Sequence, residues 1–549
     1  MRQLALTTLF GLVALAGCSD KPYDPNAPAI DPNAPRVHIV TPAVGTIAGD
    51  VKTVTVSGTS SDDTGVTSVT VNDVPATLSA DGSWTAQIPV AAGTTLIHAI
   101  AKDAQGNAGK ESRAVVAGPM ADLAQQVPQA ITATLSAQTF AAIGKGTAGF
   151  LTSGDLASML GTAPVMDLGG GPDCLYAKAW ITSVTFGGAD VTLAPQDGGL
   201  WLDVELDQAN IGMHLEYAAA CVDGSRDITV AASHISVSGN MTVGVAGNDF
   251  DIHLDSPNVA ITGFDAELGG IPGAIVDMLS LDTAMGPVLG WATEKFVVPM
   301  LNNSLAGLNN TKTMDVLGTM VDISVKPDDI QFSSQGAVVV LDTSLRAHGD
   351  SGTFVFTDNT VPAMDLSHGF QMAVADDAAN QLFTSLWSAK ALDKTLDLKN
   401  GSYGEIGTLY DSVEISAAVP PFVDASGKGL VLTVGDLIAT FKNGGQVVTK
   451  VAINAQVDLQ VVNAPTGGIR FDVGTPTTYV DVIDEGVDGA NQLSNAEFEA
   501  IASFALSRVI AVGSGSVGAI PLPAVGGVSV QNLTIGEQTG YLVVDGEVQ

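Results

Sequence analysis

Alternation of apolar and polar residues is the feature of this sequence that most limits its fold. Residues 200–207 read LWLDVELD, and residues 451–461 read VAINAQVDLQV. Successive side chains of a strand point to opposite faces of a sheet, so each stretch predicts a strand with one apolar face and one polar face. The alternation therefore predicts a protein built mainly from strands.

The composition excludes several classes of protein. The chain has 549 residues, of which 46% are hydrophobic and 15% charged. It is long enough for about three or four domains and apolar enough to bury large cores. Its 58 acidic and 22 basic side chains give a net charge of −36, which repels phosphate backbones and anionic membrane surfaces. We therefore expect no nucleic-acid partner.

The N-terminus carries a targeting signal. Met1-Arg2 precedes an apolar run from Leu4 to Ala16, and Leu15-Ala16-Gly17-Cys18 places small residues before a cysteine. This pattern resembles the lipobox of bacterial lipoproteins. The resemblance implies that residues 1–17 are removed, that Cys18 is acylated, and that Ser19 directs the protein to the outer membrane of the cell envelope, on its periplasmic face or at the cell surface. The alternative is an ordinary signal peptide that contains Cys18.

Two N-terminal segments follow the signal. Residues 18–36 contain the unit DPNAP twice, which predicts a stiff, extended stalk. Residues 37–118 show short alternating strands separated by turns, the pattern of a β-sandwich. The stretch AIAKDAQGNAGK around Asp103 resembles the closing hairpin of bacterial immunoglobulin-like domains, which serve as spacers or adhesive units.

Cysteine and helix signals mark the rest of the chain. Cys174 and Cys221 are an even pair in an exported protein, which predicts a disulfide; two buried free thiols are the alternative. Residues 376–392 predict a helix with one apolar side, and residues 270–308 a helical segment that Pro299 kinks or interrupts. The sequence Ser494-Asn495-Ala496-Glu497 is a capping box that predicts a helix start.

Three segments resemble the bactericidal/permeability-increasing protein family of the tubular lipid-binding superfamily. They are the tail AIPLPAVGGVSVQNLTIGEQTGYLVVDGEV, the stretch GFQMAVADDAANQLFTSLWSAKAL from Gly369, and WATEKFVVPMLNNSL from Trp291. The resemblance spans about residues 120–549. It implies an α+β chain in which an N-terminal immunoglobulin-like sandwich precedes two tandem curved antiparallel β-barrel-like lobes, each wrapped around a long helix. Residues 119–320 would form the first lobe, 321–364 a central junction and 365–549 the second lobe.

Such lobes would hold phospholipid or another acyl lipid in apolar tubes. We expect the contacts from aromatic and aliphatic side chains of the predicted helices, namely Phe140, Phe150, Leu382, Phe383, Leu386, Trp387, Phe498 and Phe504. The alternative for each residue is ordinary core. The basic cluster of lipopolysaccharide-binding members is absent, because Lys145, Lys178 and Arg226 are isolated in the sequence. Endotoxin binding is therefore not expected.

Several short matches to functional motifs lack the context that their function requires. The GSGSVG of residues 513–518 follows a helix, the reverse of the context that cradles phosphate, and the GDSG of residues 349–352 lacks a supporting histidine. The acidic stretch 484–489 is half a calcium loop, and the seven histidines are scattered. We expect no enzyme activity, metal or cofactor. The sequence thus predicts an envelope-anchored lipid-binding and possible lipid-transfer protein; the alternative is a surface adhesion or scaffold protein with filled β-domains.

Overall fold

The computed structural model describes most of the chain after the stalk. The described residues are 34–153, 156–159, 162–169, 174–280, 295–303, 305, 308–357, 360–367, 369–400, 406–425, 430–463, 469–484, 493–494, 496–502 and 530–548. The predicted signal peptide, Cys18, nearly all of the predicted stalk, Trp291, Phe504, the GSGSVG motif, Asn495 and most of the acidic stretch lie outside them.

The first domain is a pair of β-sheets around one core. Its strands are β1 (Arg36–Thr41), β2 (Thr46–Gly49), β3 (Thr53–Ser61), β4 (Val66–Val71), β5 (Val74–Pro75), β6 (Thr77–Leu78), β7 (Ser83–Pro89), β8 (Gly93–Asp103) and β9 (Ala108–Ala117). One sheet has the order β1-β3-β7-β6 and the other β2-β9-β8-β4-β5. Val56, Trp84 and Ile97 are buried between the sheets. The alternating residues thus form the sandwich core.

A larger, antiparallel sheet follows. The elements in this part of the chain are β10 (Met120–Asp122), β11 (Val127–Ser136), α1 (Ala137–Ser153), α2 (Leu156–Met159), β12 (Met166–Gly169), β13 (Tyr176–Thr185), β14 (Gly188–Gln196), β15 (Gly199–Ala219), β16 (Val222–Ala246), β17 (Asp249–Thr262), β18 (Asp265–Ala266) and α3 (Gly273–Leu279). The sheet runs β12-β13-β15-β16-β17, with β14 on β15 and β18 on β16. Residues 295–303 are helical, Pro299 included.

The remaining elements build a central sheet and a C-terminal sheet. They are β19 (Asn310–Val316), β20 (Thr319–Ser333), β21 (Gly336–Ala347), β22 (Thr353–Val355), β23 (Phe370–Ala375), α4 (Asp376–Ser388), β24 (Lys394–Asp397), α5 (Ile406–Leu409), β25 (Ser412–Ala417), β26 (Phe422–Asp424), β27 (Leu430–Asn443), β28 (Gln446–Asn463), β29 (Ile469–Val473), β30 (Thr477–Asp484), β31 (Val530–Gln538) and β32 (Tyr541–Val548). The C-terminal sheet has the order β24-β25-β27-β28-β29, with β26 on β27 and β30 on β28.

The central sheet joins distant parts of the chain. Its order is β19-β20-β21-β11-β23-β32-β31, so β11, which precedes the large sheet in sequence, lies beside β23 and near the last strand. Ala133 pairs with Met372, and Val374 pairs with Leu542. We refer to the large sheet with α1 to α3 as the N-terminal lobe, and to the C-terminal sheet with residues 496–502 as the C-terminal lobe.

A disulfide closes one end of the N-terminal lobe. Cys174 and Cys221 are bonded, with their Cα atoms 4.6 Å apart. Cys174 comes just before β13, and Cys221 lies in the turn between β15 and β16. The predicted pairing is confirmed, and it ties together strands that are neighbours in the sheet.

Candidate functional site

A long apolar surface lines the inner face of the N-terminal lobe. It is contributed mainly by alternate residues of β15 and β16, all of them buried: Leu200, Leu202, Val204, Leu206, Ala209, Ile211, Met213 and Leu215 on β15, and Ile228, Val230, Ala232, Ile235, Val237, Met241 and Val243 on β16. β15 has 21 residues and β16 has 25. At roughly 3.4 Å per residue these strands are about 70 Å or more along their path.

The alternation changes phase in the middle of both strands. On β15 the buried residues are even-numbered up to Leu206 and odd-numbered from Ala209, and on β16 the phase changes between Ala232 and Ile235. Gln208, at the change on β15, has a φ of +50°. An extra residue in a left-handed conformation returns the following side chains to the same face. The apolar surface therefore continues past Gln208.

Helix α1 covers part of this surface. It packs against β14 and buries Phe140, Ile143 and Leu151 in the core of the lobe. The Phe140 ring lies 5.8 Å from that of Phe332, on the central sheet. Phe150 is half-buried against the same core. These two predicted lipid contacts thus lie together in the N-terminal lobe.

Three glycines affect the packing and the stability of α1. A Cβ atom at Gly144 would overlap the carbonyl oxygen of Val191, so the missing side chain lets the helix approach β14 closely. A Cβ atom at Gly146 or Gly149 would meet no atom within 4 Å. Each glycine lowers helix stability by about 1 kcal/mol relative to alanine. Helix α1 is therefore held mainly by its packing on the sheet.

A cavity beside β15 and β16, lined by apolar side chains that include Ile211, Val230 and Phe264, has a volume of only about 10 Å³. That volume holds about one water molecule. The open tube predicted from the sequence is thus not seen among the described residues. Phe140, Ile143 and Leu151 of α1 are buried in the same core.

Helix α4 buries many polar side chains. The sequence predicted a helix over residues 376–392 with Leu382, Phe383, Leu386 and Trp387 on one strongly apolar side; the helix ends at Ser388, and Leu382, Phe383 and Trp387 are half-buried. Leu386 is buried, against Val321, and Phe383 packs against Val423 and Leu432. The most deeply buried residues of α4 are instead mainly polar: Asp376, Asp377, Asn380, Gln381, Thr384 and Ser385.

These polar groups bond backbone atoms around the helix. Asn380 Oδ1 accepts from Val423 N–H at 2.8 Å, and Asn380 Nδ2 donates to Val423 O at 2.9 Å. Gln381 accepts from Leu345 N–H at 2.8 Å and donates to Gln125 O at 2.8 Å. Buried backbone N–H and C=O groups need hydrogen-bond partners. This requirement explains why the buried side of α4 carries polar side chains. Helix α4 therefore joins the central sheet to the C-terminal lobe.

Two further contacts continue this network. Ser385 Oγ and Ser388 Oγ donate to the two carboxylate oxygens of Asp350, at 2.7 and 2.9 Å, which gives the GDSG motif a structural role. Trp387 Nε1 donates to Ala417 O at 2.8 Å. Burial raises the pKa of the Asp376 carboxyl to about 7, and the charges of Asp377 and Asp424 act in the same direction.

Phe498 belongs to a separate core. It is buried in the C-terminal lobe, its ring 5.3 Å from that of Phe441. The helix that carries it begins at the predicted capping box, where Glu497 N–H donates to Ser494 Oγ at 3.3 Å and Ser494 N–H donates to Glu497 Oε2 at 2.8 Å. The described candidate residues thus lie in different cores. Only Phe140 and Phe150 adjoin the long apolar surface.

The outer face of the N-terminal lobe carries charge. His234 lies between Glu205, at 2.6 Å, and Asp207, at 2.8 Å. The Asp207 hydrogen bond raises the pKa of His234, and the charge of Glu205 adds to the effect. Within the described residues, no three His, Cys, Asp or Glu side chains are placed to hold a metal ion. Nor is any helix in the described ranges long and apolar enough to span a bilayer.

The structure defines a β-rich α+β protein. Residues 35–118 match the family described as Glucodextranase, domain B. No curated protein matches the chain.

Solved structures give likenesses at low similarity. A lipopolysaccharide binding protein matches with a TM-score of 0.37 and 13% identity, covering 77% of this chain and 99% of that one. P47 from Clostridium botulinum A2 matches with a TM-score of 0.28 and 9% identity, covering 77% of this chain and 98% of that one. P47 of Clostridium botulinum E1 has a TM-score of 0.25 and 8% identity, with coverages of 77% and 100%.

Proposed function

We propose that this protein binds acyl lipids in its N-terminal lobe, between the long apolar surface and helix α1. The observation that carries the proposal is the uninterrupted apolar face of β15 and β16, which continues through the phase change at Gln208. A sheet of this length exceeds what a small hydrophobic core requires. An extended apolar surface beneath a helix suits an extended apolar ligand.

The apolar cavity beside β15 and β16 holds only about one water molecule, so we infer that α1 moves when a lipid enters. An acyl chain would take the places of Phe140, Ile143 and Leu151 on the sheet. Each buried methylene is worth about 0.8 kcal/mol, so a sixteen-carbon chain offers on the order of 10 kcal/mol before ordering costs. The glycines lower the intrinsic stability of α1 by about 3 kcal/mol in total. Exchange of the helix for a lipid chain is therefore energetically accessible.

Two glycines allow a test that leaves the interior unchanged. Gly146 and Gly149 face solvent on α1, and a Cβ atom at either meets nothing within 4 Å. The double variant Gly146→Ala, Gly149→Ala should stabilise α1 by about 2 kcal/mol. We expect it to take up a fluorescent fatty-acyl probe at least tenfold more slowly than the parent. Gly536→Ala on β31, where a Cβ atom also meets nothing, is the matched control.

The outcomes separate two questions. Failure of the parent to bind the probe would refute lipid binding. Binding at equal rates by the parent and the double variant would refute entry by displacement of α1 and leave lipid binding in place.

We further propose that acylated Cys18 anchors the mature chain in the bacterial outer membrane. Support comes from the lipobox-like sequence around Cys18. In detergent phase partitioning the parent should enter the detergent phase, and Cys18→Ser should stay in the aqueous phase. Equal partitioning of the two proteins would contradict the anchor.

Surface adhesion or scaffolding is the second candidate. It is favoured by the close packing of the described residues around Phe140 and by the contact of the sandwich with the C-terminal lobe. A purified protein without bound lipid, and without affinity for an acyl probe, would support this candidate.

A further inference from the structure

The sandwich docks on the C-terminal lobe through the free edge of β9. β9 pairs with β8 along its length, but on its other side it pairs with β2 only from Val115 to Ala117. Just before that point, Ser112 N–H donates to Asp481 Oδ2 at 2.8 Å and Ala114 N–H donates to Asp436 Oδ1 at 3.0 Å. Carboxyls of the C-terminal lobe therefore take the place of a neighbouring strand.

A third backbone group strengthens this junction. Gly45 N–H, from the turn before β2, donates to Asp436 Oδ2 at 2.9 Å. Asp436 is fully buried and Asp481 is 7% exposed. The two carboxyls are thus enclosed by the docked sandwich and lie in an environment that disfavours their ionised forms.

The buried cluster contains more acid than base. Glu111 on β9 is buried, pairs with Arg113 at 2.7 Å and accepts from Ile39 N–H at 3.0 Å. The carboxylate of Glu499 acts on Asp481 from the helix at residues 496–502. Glu111, Asp436 and Asp481 therefore share the buried guanidinium of Arg113, and Glu499 adds a further negative charge beside Asp481.

Two histidines of the sandwich also lie beside the cluster, and Lys110 acts on one of them, His98. His38 on β1 lies 3.2 Å from Glu111 Oε2 and is mostly exposed. His98 on β8 stacks against Tyr479, at 3.9 Å between ring centroids, and its burial lowers its pKa. Within the buried cluster, carboxyls outnumber the one guanidinium.

An apolar patch lies beside the cluster. Leu96, Ala114 and Val116 of the sandwich pack against Val419 and Phe422 of the C-terminal lobe. Gly93 lies directly under the Phe422 ring. This packing holds the two domains together and excludes water from the carboxyls.

We propose that the carboxyl cluster is a proton-operated latch, which holds the sandwich on the C-terminal lobe while Asp481 is protonated and loosens the junction when Asp481 ionises. A protonated Asp481 still accepts from Ser112 N–H through its carbonyl oxygen. Its ionised form adds a buried negative charge beside Glu111 and Glu499. Asp436 acts in the same sense.

The direction follows from the pKa values. Burial raises the pKa of Asp481 from 3.8 to about 7, with Glu111 and Glu499 adding to the rise, and burial also raises the pKa of Asp436. In the released state Asp481 faces water and regains its ordinary pKa. Docking therefore takes up a proton, so the docked state is favoured at low pH and loses this advantage between about pH 4 and pH 7. Linkage gives a fall in the docking equilibrium of up to roughly a hundredfold between pH 5 and pH 8.

Hydrogen exchange of the full mature chain tests the latch. The readout is protection of the amides in residues 108–117, corrected for intrinsic exchange and compared with a reference segment at residues 236–246 of β16. We expect protection of residues 108–117 to fall from pH 5 to pH 8 while the reference segment changes much less. Asp481→Asn mimics the neutral carboxyl and should keep residues 108–117 protected at both pH values. Asp458→Asn, an exposed change on neighbouring β28, should behave like the parent.

A second variant keeps the test decisive if Asp481→Asn fails to fold. Glu499→Gln removes one negative neighbour of Asp481, so the loss of protection between pH 5 and pH 8 should shrink relative to the parent. Equal protection of residues 108–117 at both pH values in the parent would overturn the latch. So would an unchanged pH response in both Asp481→Asn and Glu499→Gln.

Discussion

Gly144 of α1 lies so close to the carbonyl oxygen of Val191 on β14 that any side chain there would overlap it. The helix that covers the long apolar surface is thus fitted to its sheet at a point where only glycine is accommodated. The same helix has glycines at 146 and 149 that contact nothing. Helix α1 is thus closely packed at Gly144 and has low intrinsic helix stability at Gly146 and Gly149. A helix that a ligand can displace requires both properties.

Gly144→Val should therefore separate α1 from β14. The added side chain overlaps backbone, which cannot yield as a flexible side chain can. We expect a loss of about 1–3 kcal/mol in the free energy of unfolding, measured by chemical denaturation. Lipid uptake by this variant should be faster than that of the parent, because its cover is loosened. A variant as stable as the parent would contradict the close packing.

Asp376 should make stability depend on pH. Its pKa rises from 3.8 to about 7 on folding because the carboxyl is buried. The folded state thus binds the proton more tightly, so this contribution to stability is complete below about pH 4 and is lost as pH rises through 7. Denaturation midpoints of the parent should fall between pH 5 and pH 8. Asp376→Asn should show a smaller fall, and Asp190→Asn, on an exposed site, should follow the parent.

The Asn380 side chain should be important for stability. It bonds both the N–H and the carbonyl of Val423, and it is 1% exposed. Asn380→Ala leaves two buried backbone groups without this partner, at a cost of about 2–4 kcal/mol. Asn400→Ala, whose side chain bonds exposed Asp397, should cost much less. Similar denaturation midpoints for the two variants would show that α4 does not hold the domains as described.

The disulfide should stabilise the N-terminal lobe. Cys174 and Cys221 are 47 residues apart in sequence. In the chain-entropy description, closing a loop of that length contributes about 4 kcal/mol. The double variant Cys174→Ser, Cys221→Ser should unfold at correspondingly lower denaturant concentration. The parent measured under reducing conditions should match it.

The turn between β19 and β20 offers a stabilising change. Leu317 has a φ of +55° and is 56% exposed, and Gly318 follows with a φ of +86°. Two-residue hairpin turns of this geometry prefer Asn-Gly. Leu317→Asn should therefore raise the free energy of unfolding by up to about 1 kcal/mol. A decrease would mean that Leu317 makes a contact that its exposure does not reveal.

The sequence pattern predicted individual strands and helices better than it predicted the contacts between them. The alternation at 200–207 identified β15 and its buried face, and the capping box at Ser494 identified a helix start. The phase change at Gln208 could not be predicted, because period-two counting stops where one residue takes a left-handed conformation. A change from even to odd apolar positions was its only sequence signal.

Long-range polar contacts escaped prediction for a different reason. Asp481 and its donor Ser112 are 369 residues apart, and neither belongs to a recognisable motif. The sequence predicts one strongly apolar side for α4, because leucine and aromatic side chains fall within two turns of it. The structure instead buries polar side chains of α4, because backbone groups such as those of Val423 and Leu345 need hydrogen-bond partners. Only the fold reveals where such unpaired backbone groups lie.

The most direct test of lipid binding is native mass spectrometry of the chain from residue 18 onward, carried out on the Cys18→Ser variant so that the proposed acylation does not interfere. The account predicts an added mass of at least one acyl lipid per chain, which collisional activation releases and which organic solvent extracts in matching amount. A bare protein mass, unchanged after incubation with phospholipid vesicles, would contradict it.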